Sequence, residues 1–299
     1  MSEPRSASIA ATGLRFGALE WGDPDAPLAL LIHGYPDTAW TWRHLGPALA
    51  SSGWHAVAPF TRGYQPSDLP ADGSYLVEDM VGDVLGIESA LRGNGPSVLV
   101  GHDWGAAVVW AVSSEHPDRF SRLVAMAVPP PAALLEPWKS LSTLPGGLRQ
   151  LRASWYFIFN QIPGAERTLS RLIPRLWRTW SPGYDSTWDL EKVFESLDSN
   201  QRLKAALGYY RNNLGPSGIR YLQNLRPSQP ALYLHGRSDG CVRVELAEQA
   251  ESLLPTDSRM EVVEGAGHFL QLEEPGRVSQ LVADWLGSAA EGRRGERPG

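Results

Sequence analysis

The sequence predicts an open, mostly parallel α/β sheet that is interrupted by a helical insertion. Short apolar runs alternate with longer amphipathic runs over the first 128 residues, which is typical of buried parallel strands joined by helices. From residue 131 to residue 227 the pattern is helical and rich in tryptophan, without a convincing buried strand. Apolar runs return at 231–234 and 260–263, so we expect the sheet to resume after the insertion.

Each predicted strand is a short apolar run that stops at a turn or a polar motif. The first ends at His33-Gly34 and the second at Pro59. The predicted strands lie at 28–32, 54–58, 97–100, 123–128, 231–234 and 260–263. Apolar residues at helical spacing predict a helix over 77–91, and a run of small residues predicts another over 104–115. A final helix presents an apolar face from Val278 to Leu286.

The change of pattern also divides the chain into two parts. We expect a core made of residues 1–130 and 228–299, and a helical cap domain made of residues 131–227. The insertion follows the carboxyl end of a predicted strand, where open α/β sheets bind ligands. The cap is therefore expected to cover an active site.

Composition and charge exclude several classes of protein. The chain has 299 residues and a net charge of −6, whereas a nucleic-acid-binding protein needs a basic surface. No apolar run approaches the about 18 residues of a membrane-spanning helix. The start of the chain lacks the pattern of a signal peptide, and the single cysteine, Cys241, cannot form an internal disulfide. We expect a cytoplasmic protein, monomeric or homodimeric, with no nucleic-acid or membrane partner, and the 12 tryptophans indicate a need for large apolar surface.

The motif Gly101-His102-Asp103-Trp104-Gly105 lies between a predicted strand and a predicted helix. It has the form of the nucleophile elbow G-x-S-x-G, with aspartate in place of serine. In such an elbow the glycines allow close packing while the central residue projects into the pocket. The sequence therefore predicts Asp103 as a nucleophile; the alternative is an aspartate that caps the following helix.

Two further residues complete the expected catalytic set in the chain order nucleophile, acid, histidine. Asp239 follows the first strand after the insertion, and His268 follows the last strand. The loop His33-Gly34-Tyr35-Pro36 follows the first buried strand, and the backbone N–H groups of Tyr35 and Trp104 are expected to form an oxyanion hole. His33 is expected to hold this loop through hydrogen bonds, while Asp37 and Glu264 are expected to be solvated at the surface.

An aspartate nucleophile indicates a particular chemistry. A carboxylate is ionised at neutral pH and needs no base in the first step. It can displace a leaving group at saturated carbon, which leaves an alkyl ester on Asp103. His268, oriented by Asp239, would then activate water to hydrolyse that ester. The substrate class depends on what stabilises the leaving group: an epoxide needs a proton donor, and a haloalkane needs halide-binding N–H groups.

The segments Ser154–Gln161 and Gly208–Asn212 resemble cap segments of the soluble, microbial-type epoxide hydrolases of the α/β-hydrolase superfamily. The motifs H-G-Y-P and G-H-D-W-G and the Asp239 and His268 loops resemble that family as well. The resemblance implies that two cap tyrosines, Tyr156 and Tyr210, donate protons to the epoxide oxygen, while Tyr209 faces elsewhere. It implies an epoxide hydrolase that forms a vicinal diol from a small apolar epoxide and water, without cofactor or metal.

Aromatic residues near these motifs are expected to bind the substrate, namely Trp104, Trp155 and Phe159. Two alternatives remain open. A haloalkane dehalogenase would use the same aspartate, although many of these carry a halide-binding asparagine where this chain has Tyr35. A non-catalytic ligand-binding relative is the other, although binding alone does not need the pair of Asp239 and His268.

Overall fold

A single mixed sheet of eight strands forms the centre of the molecule. The computed structural model describes residues 3–92, 95–134 and 144–287. The strand order is β1-β2-β4-β3-β5-β6-β7-β8, in which β1, β2 and β4 pair antiparallel and all other pairs are parallel. The strands are β1 (Arg5–Ala11), β2 (Leu14–Trp21), β3 (Leu28–Ile32), β4 (His55–Pro59), β5 (Val98–His102), β6 (Arg122–Met126), β7 (Ala231–Gly236) and β8 (Arg259–Val263). The predicted α/β class with a mostly parallel sheet is confirmed.

Helices join the strands and fill the interval between β6 and β7. The helices of the first part are α1 (Leu45–Ser51), α2 (Val77–Leu91) and α3 (Trp104–Glu115). Between β6 and β7 lie α4 (Leu144–Ala153), α5 (Trp155–Gln161), α6 (Leu169–Trp180), α7 (Thr187–Ser196), α8 (Asn200–Asn213) and α9 (Pro216–Asn224). The last three are α10 (Val244–Ala250), α11 (Leu270–Glu273) and α12 (Pro275–Leu286). No described helix is both long and apolar enough to cross a membrane.

The predicted strands and helices agree with the structure to within a few residues, but the first two strands were not predicted. β1 and β2 form a hairpin around Thr12 and Gly13, both of which have positive φ angles. The edge strand β1 buries only Ile9, so it lacks the continuous apolar run of the central strands. A two-residue loop containing glycine between alternating residues is the signal that could have revealed the hairpin.

The register of the parallel strands brings their carboxyl ends to one edge of the sheet. Ile32 of β3 pairs with Gly101 of β5, and His102 pairs with Met126 of β6. Met126 in turn pairs with Leu234 of β7. The loops after these strands carry the predicted site residues, so the sheet itself brings these loops together. Six tryptophans are completely buried, two of them on α6 (Trp177 and Trp180), and together they account for half of the tryptophan content noted in the sequence.

Asp37 lies in the loop after β3. The sequence predicts that it is solvated at the surface, but the structure buries it. Its side chain is buried, with the Thr38 N–H donating to Oδ1 at 2.7 Å and no hydrogen-bond partner for Oδ2. Burial raises the pKa of Asp37 to about 7; the hydrogen bond from the Thr38 N–H opposes that shift, and the charge of Asp189 adds to it. Glu264, by contrast, is exposed and pairs with Arg237 at 2.9 Å.

The buried carboxyl of Asp37 should make the stability of the fold depend on pH. The folded chain holds this proton more tightly than the unfolded chain, so its contribution to stability falls as the pH rises from about 4 to about 7. Asp37→Asn cannot ionise. We therefore expect its free energy of unfolding, relative to that of the wild type, to rise by about 2 kcal/mol or more when the pH is raised from about 4 to about 8. Urea unfolding at both pH values measures this. The exposed Asp25→Asn should show no such trend, and an equal gain in both variants would refute the assignment to Asp37.

Candidate active site

Asp103 occupies a sharp turn between β5 and α3. Its backbone has φ 55° and ψ −117°, a conformation that non-glycine residues adopt at a cost of about 1–3 kcal/mol. Hydrogen bonds to both sides hold the turn: the Asp103 N–H donates to the Met126 carbonyl at 3.2 Å, and the N–H of Ala106 donates to the Asp103 carbonyl at 2.9 Å. Helix α3 therefore starts directly after the turn, and the carboxylate projects from it into a cavity.

Two glycines allow this turn to pack against the sheet. A Cβ atom on Gly105 would lie 2.8 Å from the carbonyl carbon of Ile32, and one on Gly101 would lie 2.8 Å from Cγ2 of Val109. Real Cβ atoms do not approach backbone so closely, so any larger residue would push α3 away from β3 and β5. The glycines of the elbow motif thus fix the distance between the helix and the sheet, and with it the position of Asp103.

The backbone N–H of Tyr35 donates to Oδ1 of Asp103 at 2.7 Å. Gly34 makes this approach possible, because a methyl group there would lie 2.6 Å from the Trp104 nitrogen and would also collide with the carboxylate. The Trp104 N–H is in the first turn of α3, where backbone N–H groups have no acceptor within the helix. Of the two N–H groups predicted as an oxyanion hole, that of Tyr35 contacts the Asp103 carboxylate, and that of Trp104 directly follows Asp103 in the chain.

His268 lies between two buried carboxylates. Its Nδ1 donates to Oδ2 of Asp239 at 2.9 Å, and its Nε2 lies 3.6 Å from Oδ2 of Asp103. The second distance is an ion-pair contact rather than a hydrogen bond. The other oxygen of Asp239 accepts from the N–H groups of Cys241 at 2.7 Å and Val242 at 3.0 Å. The three predicted residues of the catalytic set are thus brought together in one line.

The charges of Asp103, His268 and Asp239 control the protonation of these three side chains. Burial alone would lower the pKa of His268, but the charge of Asp239 and the nearby Asp103 outweigh it and raise the pKa to about 10. For Asp239, burial opposes ionisation, yet the charge and hydrogen bond of His268 hold its pKa below the ordinary value. In the resting protein, His268 is therefore a cation at neutral pH, and it compensates one of the two carboxylates.

Three other buried histidines hold the loops of the site as neutral rings. Nδ1 of His33 donates to the Gly34 carbonyl at 2.9 Å and its Nε2 accepts from the Thr61 N–H at 3.0 Å, as expected of a residue that holds its loop. His102 donates to the His268 carbonyl at 2.9 Å. Desolvation lowers the pKa of His33 to about 4 and that of His102 to about 3. His235 donates to the Val242 carbonyl at 3.0 Å, and desolvation lowers its pKa as well.

A cavity of about 290 Å³ lies next to Asp103. The part of the chain before residue 131 contributes Asp103, Trp104, Ala107 and Val128 to its lining. Residues 131–227 contribute Pro131, Gln150, Leu151, Ser154, Tyr156, Phe157, Tyr210, Leu214 and Leu222. The Asp239 loop and α10 contribute Cys241, Val242 and Leu246. Most of these side chains are apolar. Such a cavity suits an apolar small molecule whose reactive centre faces Asp103.

Tyr156 and Tyr210 both line this cavity, and their rings meet edge to face at 5.6 Å. The Tyr210 ring also packs edge-on against Tyr35 at 5.0 Å and Trp104 at 5.3 Å. Burial is the main cause that raises the pKa of both hydroxyl groups well above the ordinary value, so both stay protonated. Tyr209 faces elsewhere: its hydroxyl donates to the Arg62 carbonyl at 2.8 Å.

Two residues predicted to bind substrate, Trp155 and Phe159, do not line the cavity. Trp155 is 40% exposed, its ring packs against Phe159 at 5.9 Å, and Arg175 lies over it at 5.5 Å. Residues four apart share one face of a helix, and on α5 that face is not the one that carries Tyr156. The prediction followed aromatic content rather than helical phase, and the structure does not place these two side chains in the lining of this cavity. The cavity-facing aromatic neighbour is Phe157.

Two polar groups of the cavity were not predicted as site residues. Cys241 lines the cavity, and its Sγ lies 3.2 Å from the Tyr156 hydroxyl. Gln150 of α4 donates to the Cys241 carbonyl at 2.8 Å and accepts from the Arg243 N–H at 2.9 Å. The position of Cys241 two residues after Asp239 could have indicated the first; no sequence signal indicates the second.

Asp103, Cys241 and His268 are the residues of the site whose side chains could hold a metal, with ligand atoms within 4.8 Å of one another. A metal ion is not needed to explain this cluster, because cationic His268 already compensates the charge of one carboxylate. Burial raises the pKa of the Cys241 thiol well above its ordinary value, so it is a neutral group beside the two carboxylates.

Comparison with known proteins places this arrangement in a family. The family model for the alpha/beta hydrolase fold matches residues 27–275. Epoxide hydrolase A of Mycobacterium tuberculosis is 30% identical over 96% of this chain and 98% of its own length. The crystal structure of Epoxide Hydrolase A from Mycobacterium thermoresistibile superposes with a TM-score of 0.76 at 26% identity, covering 95% of this chain and 98% of that one. Epoxide hydrolase VrEH1 from Vigna radiata superposes with a TM-score of 0.77 at 25% identity, covering 95% and 98%.

The contact between His268 and Asp239 predicts a measurable effect on the titration of His268. We expect Asp239→Asn to lower the pKa of the His268 ring from about 10 by about 2 units or more, because an adjacent opposite charge has been removed. NMR of the histidine ring signals over the pH range measures it. Asp118→Asn, an exposed carboxylate, serves as the matched control. An unchanged His268 titration in Asp239→Asn would contradict the assignment.

Proposed function

The chain belongs to the epoxide hydrolase family of the α/β-hydrolases, and from this membership we propose that it hydrolyses an epoxide to a vicinal diol through an ester on Asp103. The observation that carries the proposal is that Asp103 and two protonated tyrosines line one apolar cavity, while the pair of His268 and Asp239 contacts Asp103. Each of these groups has a distinct task in the two steps of the reaction.

In the first step the Asp103 carboxylate attacks one ring carbon of the epoxide. A new carbon–oxygen bond forms to Asp103, and the ring carbon–oxygen bond breaks. The hydrogen bond from the Tyr35 N–H at 2.7 Å holds the carboxylate in one orientation. This step needs no base, because the nucleophile is already ionised.

Tyr156 and Tyr210 supply the proton that the opening ring needs. An alkoxide is a poor leaving group in an apolar cavity, so a donor must act as the bond breaks. Both hydroxyl groups are buried, and their raised pKa values keep them protonated at neutral pH. The Tyr156 hydroxyl contacts Cys241 in the free protein, and we propose that it exchanges this contact for the epoxide oxygen.

In the second step water attacks the carbonyl carbon of the Asp103 ester, and His268 accepts the proton. Esterification removes the negative charge of Asp103, one of the two charges that raise the pKa of His268. The pKa of His268 therefore falls as the ester forms, and the ring passes its proton to the tyrosinate that ring opening left behind, which makes His268 a neutral base. The oxyanion forms near the N–H groups of Tyr35 and Trp104 as His268 takes the proton of the attacking water. When the oxyanion collapses, the bond between the carbonyl carbon and the diol oxygen breaks, the diol oxygen takes the proton of the new Asp103 carboxyl, and the resting state of carboxylate, cationic His268 and neutral tyrosine is restored.

We propose that residues 131–227 act as a cap that closes the cavity over Asp103. This segment contributes nine of the 16 cavity-lining side chains, six of them from α4, α5, α8 and α9. The apolar lining favours an apolar epoxide small enough for about 290 Å³. The haloalkane dehalogenase alternative has less support, because the Tyr35 side chain packs against Tyr210 and offers no amide to a halide, while the Gln150 amide is already bonded to Ser154 and Cys241.

The covalent step is tested by trapping the ester. We expect His268→Gln to lower the steady-state rate about 100-fold or more while alkylation of Asp103 continues, because only the second step needs the base. Intact mass measurement after incubation with an epoxide should show one added epoxide mass, and peptide mapping should assign it to Asp103. The exposed His116→Gln serves as control and should show no adduct.

Each other result of this trapping experiment has a defined meaning. An adduct formed only with a haloalkane would identify a dehalogenase. An absence of adduct with either compound, in a protein that binds the epoxide, would favour a ligand-binding role.

The proton donors are tested by removing one hydroxyl at a time. Tyr156→Phe and Tyr210→Phe should each slow alkylation of Asp103 by more than about 10-fold, and the double variant should slow it much further. Rapid-quench measurement of the first turnover separates alkylation from ester hydrolysis. Tyr209→Phe, next in sequence but bonded to Arg62, should keep the wild-type alkylation rate. Wild-type alkylation in the double variant would refute the donor assignment.

A further inference from the structure

The outer surface of α4 and α5 exposes a stripe of large apolar side chains. Seven large hydrophobic residues are exposed in the described part of the chain, and five of them lie within one short stretch: Leu148, Leu151, Trp155, Ile158 and Ile162. Their spacing alternates between three and four residues, so they follow one side of the two consecutive helices. Ile158 is the most exposed, at 70%. A concentrated apolar stripe on a surface marks a site of interaction.

The same segment is strongly basic in a chain that is otherwise acidic. Residues 144–180 contain six arginines and one glutamate, a net charge of +5, whereas the whole chain has a net charge of −6. The glutamate, Glu166, is buried and pairs with Arg211 at 3.6 Å and Lys204 at 4.0 Å. The arginines are all exposed: Arg149, Arg152, Arg167, Arg171, Arg175 and Arg178. The exposed charges of the segment itself are therefore all positive.

The apolar and basic side chains belong to one surface. Arg171, Arg175 and Arg178 follow the exposed side of α6, and the Arg175 guanidinium lies over the Trp155 ring of α5 at 5.5 Å. The row of arginines on α6 therefore borders the apolar stripe. We call this combined surface, formed by the exposed residues of α4, α5 and α6, the basic face.

We propose that the basic face docks on an anionic lipid surface. Apolar side chains that enter the lipid boundary, bordered by arginines that contact anionic headgroups, are the two elements of interfacial membrane binding. The absence of an apolar run long enough to span a bilayer predicts no membrane partner. The proposal concerns a contact with the membrane surface, which needs no spanning helix.

A second copy of the chain fits the basic face less well. The common symmetric dimer brings the same patch of both subunits together, which here would set a net charge of +5 against itself. Like charges across an interface are unfavourable. An anionic lipid surface instead complements the charge and accepts the apolar stripe.

The contact would also place the cavity close to the lipid. Leu151 belongs both to the apolar stripe and to the lining of the cavity, so the stripe is continuous with the substrate site. An apolar epoxide dissolved in the bilayer would then reach the cavity without crossing water. This consequence alone depends on the proposed function; binding to lipid does not.

Co-sedimentation with vesicles tests the proposal. We expect the wild-type protein to bind phosphatidylcholine vesicles that contain phosphatidylglycerol, and to be released at about 1 M salt, where charges are screened within about 3 Å. The triple variant Arg171→Gln, Arg175→Gln, Arg178→Gln should bind about 100-fold more weakly, since each basic residue contributes about fivefold. The double variant Ile158→Ser, Ile162→Ser should lose at least about 10-fold.

Matched controls separate the basic face from general charge and hydrophobicity. The triple variant Arg15→Gln, Arg259→Gln, Arg277→Gln loses the same charge from other exposed positions, and Ile219→Ser loses an apolar side chain that is 40% exposed elsewhere. Both should bind within about twofold of the wild type. All variants should keep the wild-type melting temperature and the wild-type rate on a dissolved epoxide, so a failure of the proposed reaction would not be mistaken for a failure of docking.

Three results would overturn the proposal. The first is equal binding to vesicles with and without phosphatidylglycerol, or none to either. The second is an equal loss of binding in the test and control variants. The third is a dimer, seen by light scattering, that the Ile158→Ser, Ile162→Ser variant abolishes, which would assign the basic face to contact between copies of the chain.

Discussion

The site depends on one cation, His268, held between two buried carboxylates. Two carboxylates this close would destabilise each other without a shared positive charge, because burial penalises both ions. His268 stabilises both at once, and Asp239 fixes its ring through the bond at 2.9 Å. The protonation of His268 also depends on the charge of Asp103. A reaction that neutralises Asp103 removes one of the two negative charges that raise the pKa of His268. Structure and proposed mechanism therefore rest on the same charges.

Three neutral histidines hold the loops that carry Asp103, Asp239 and His268. His33, His102 and His235 lie at the carboxyl ends of β3, β5 and β7, and each joins one loop of the site to its surroundings. Their desolvated rings stay uncharged, so each provides a donor or acceptor without adding a second cation. The parallel register aligns these strand ends, and the glycines at 101 and 105 set the closeness of α3. The geometry of the site is thus a product of sheet packing.

Much of this could be predicted from the sequence because it is local. Short runs of residues with clear spacing indicate the elbow motif, the helix after Asp103, and the strands before Asp239 and His268. What escaped prediction depends on tertiary packing. The burial of Asp37 and the bond between Gln150 and the Cys241 carbonyl depend on residues far apart in the chain. The edge strand β1 escaped because it buries only one apolar residue.

Helix α5 shows how one short helix serves two surfaces, and why aromatic content alone does not tell which residues line the cavity. Seven residues make barely two turns, so neighbouring positions must face in different directions. Tyr156 and Phe157 line the cavity, which leaves Trp155 and Ile158 on the outer side. In a chain that covers most of its large apolar side chains, an uncovered row beside arginines indicates that another surface covers it.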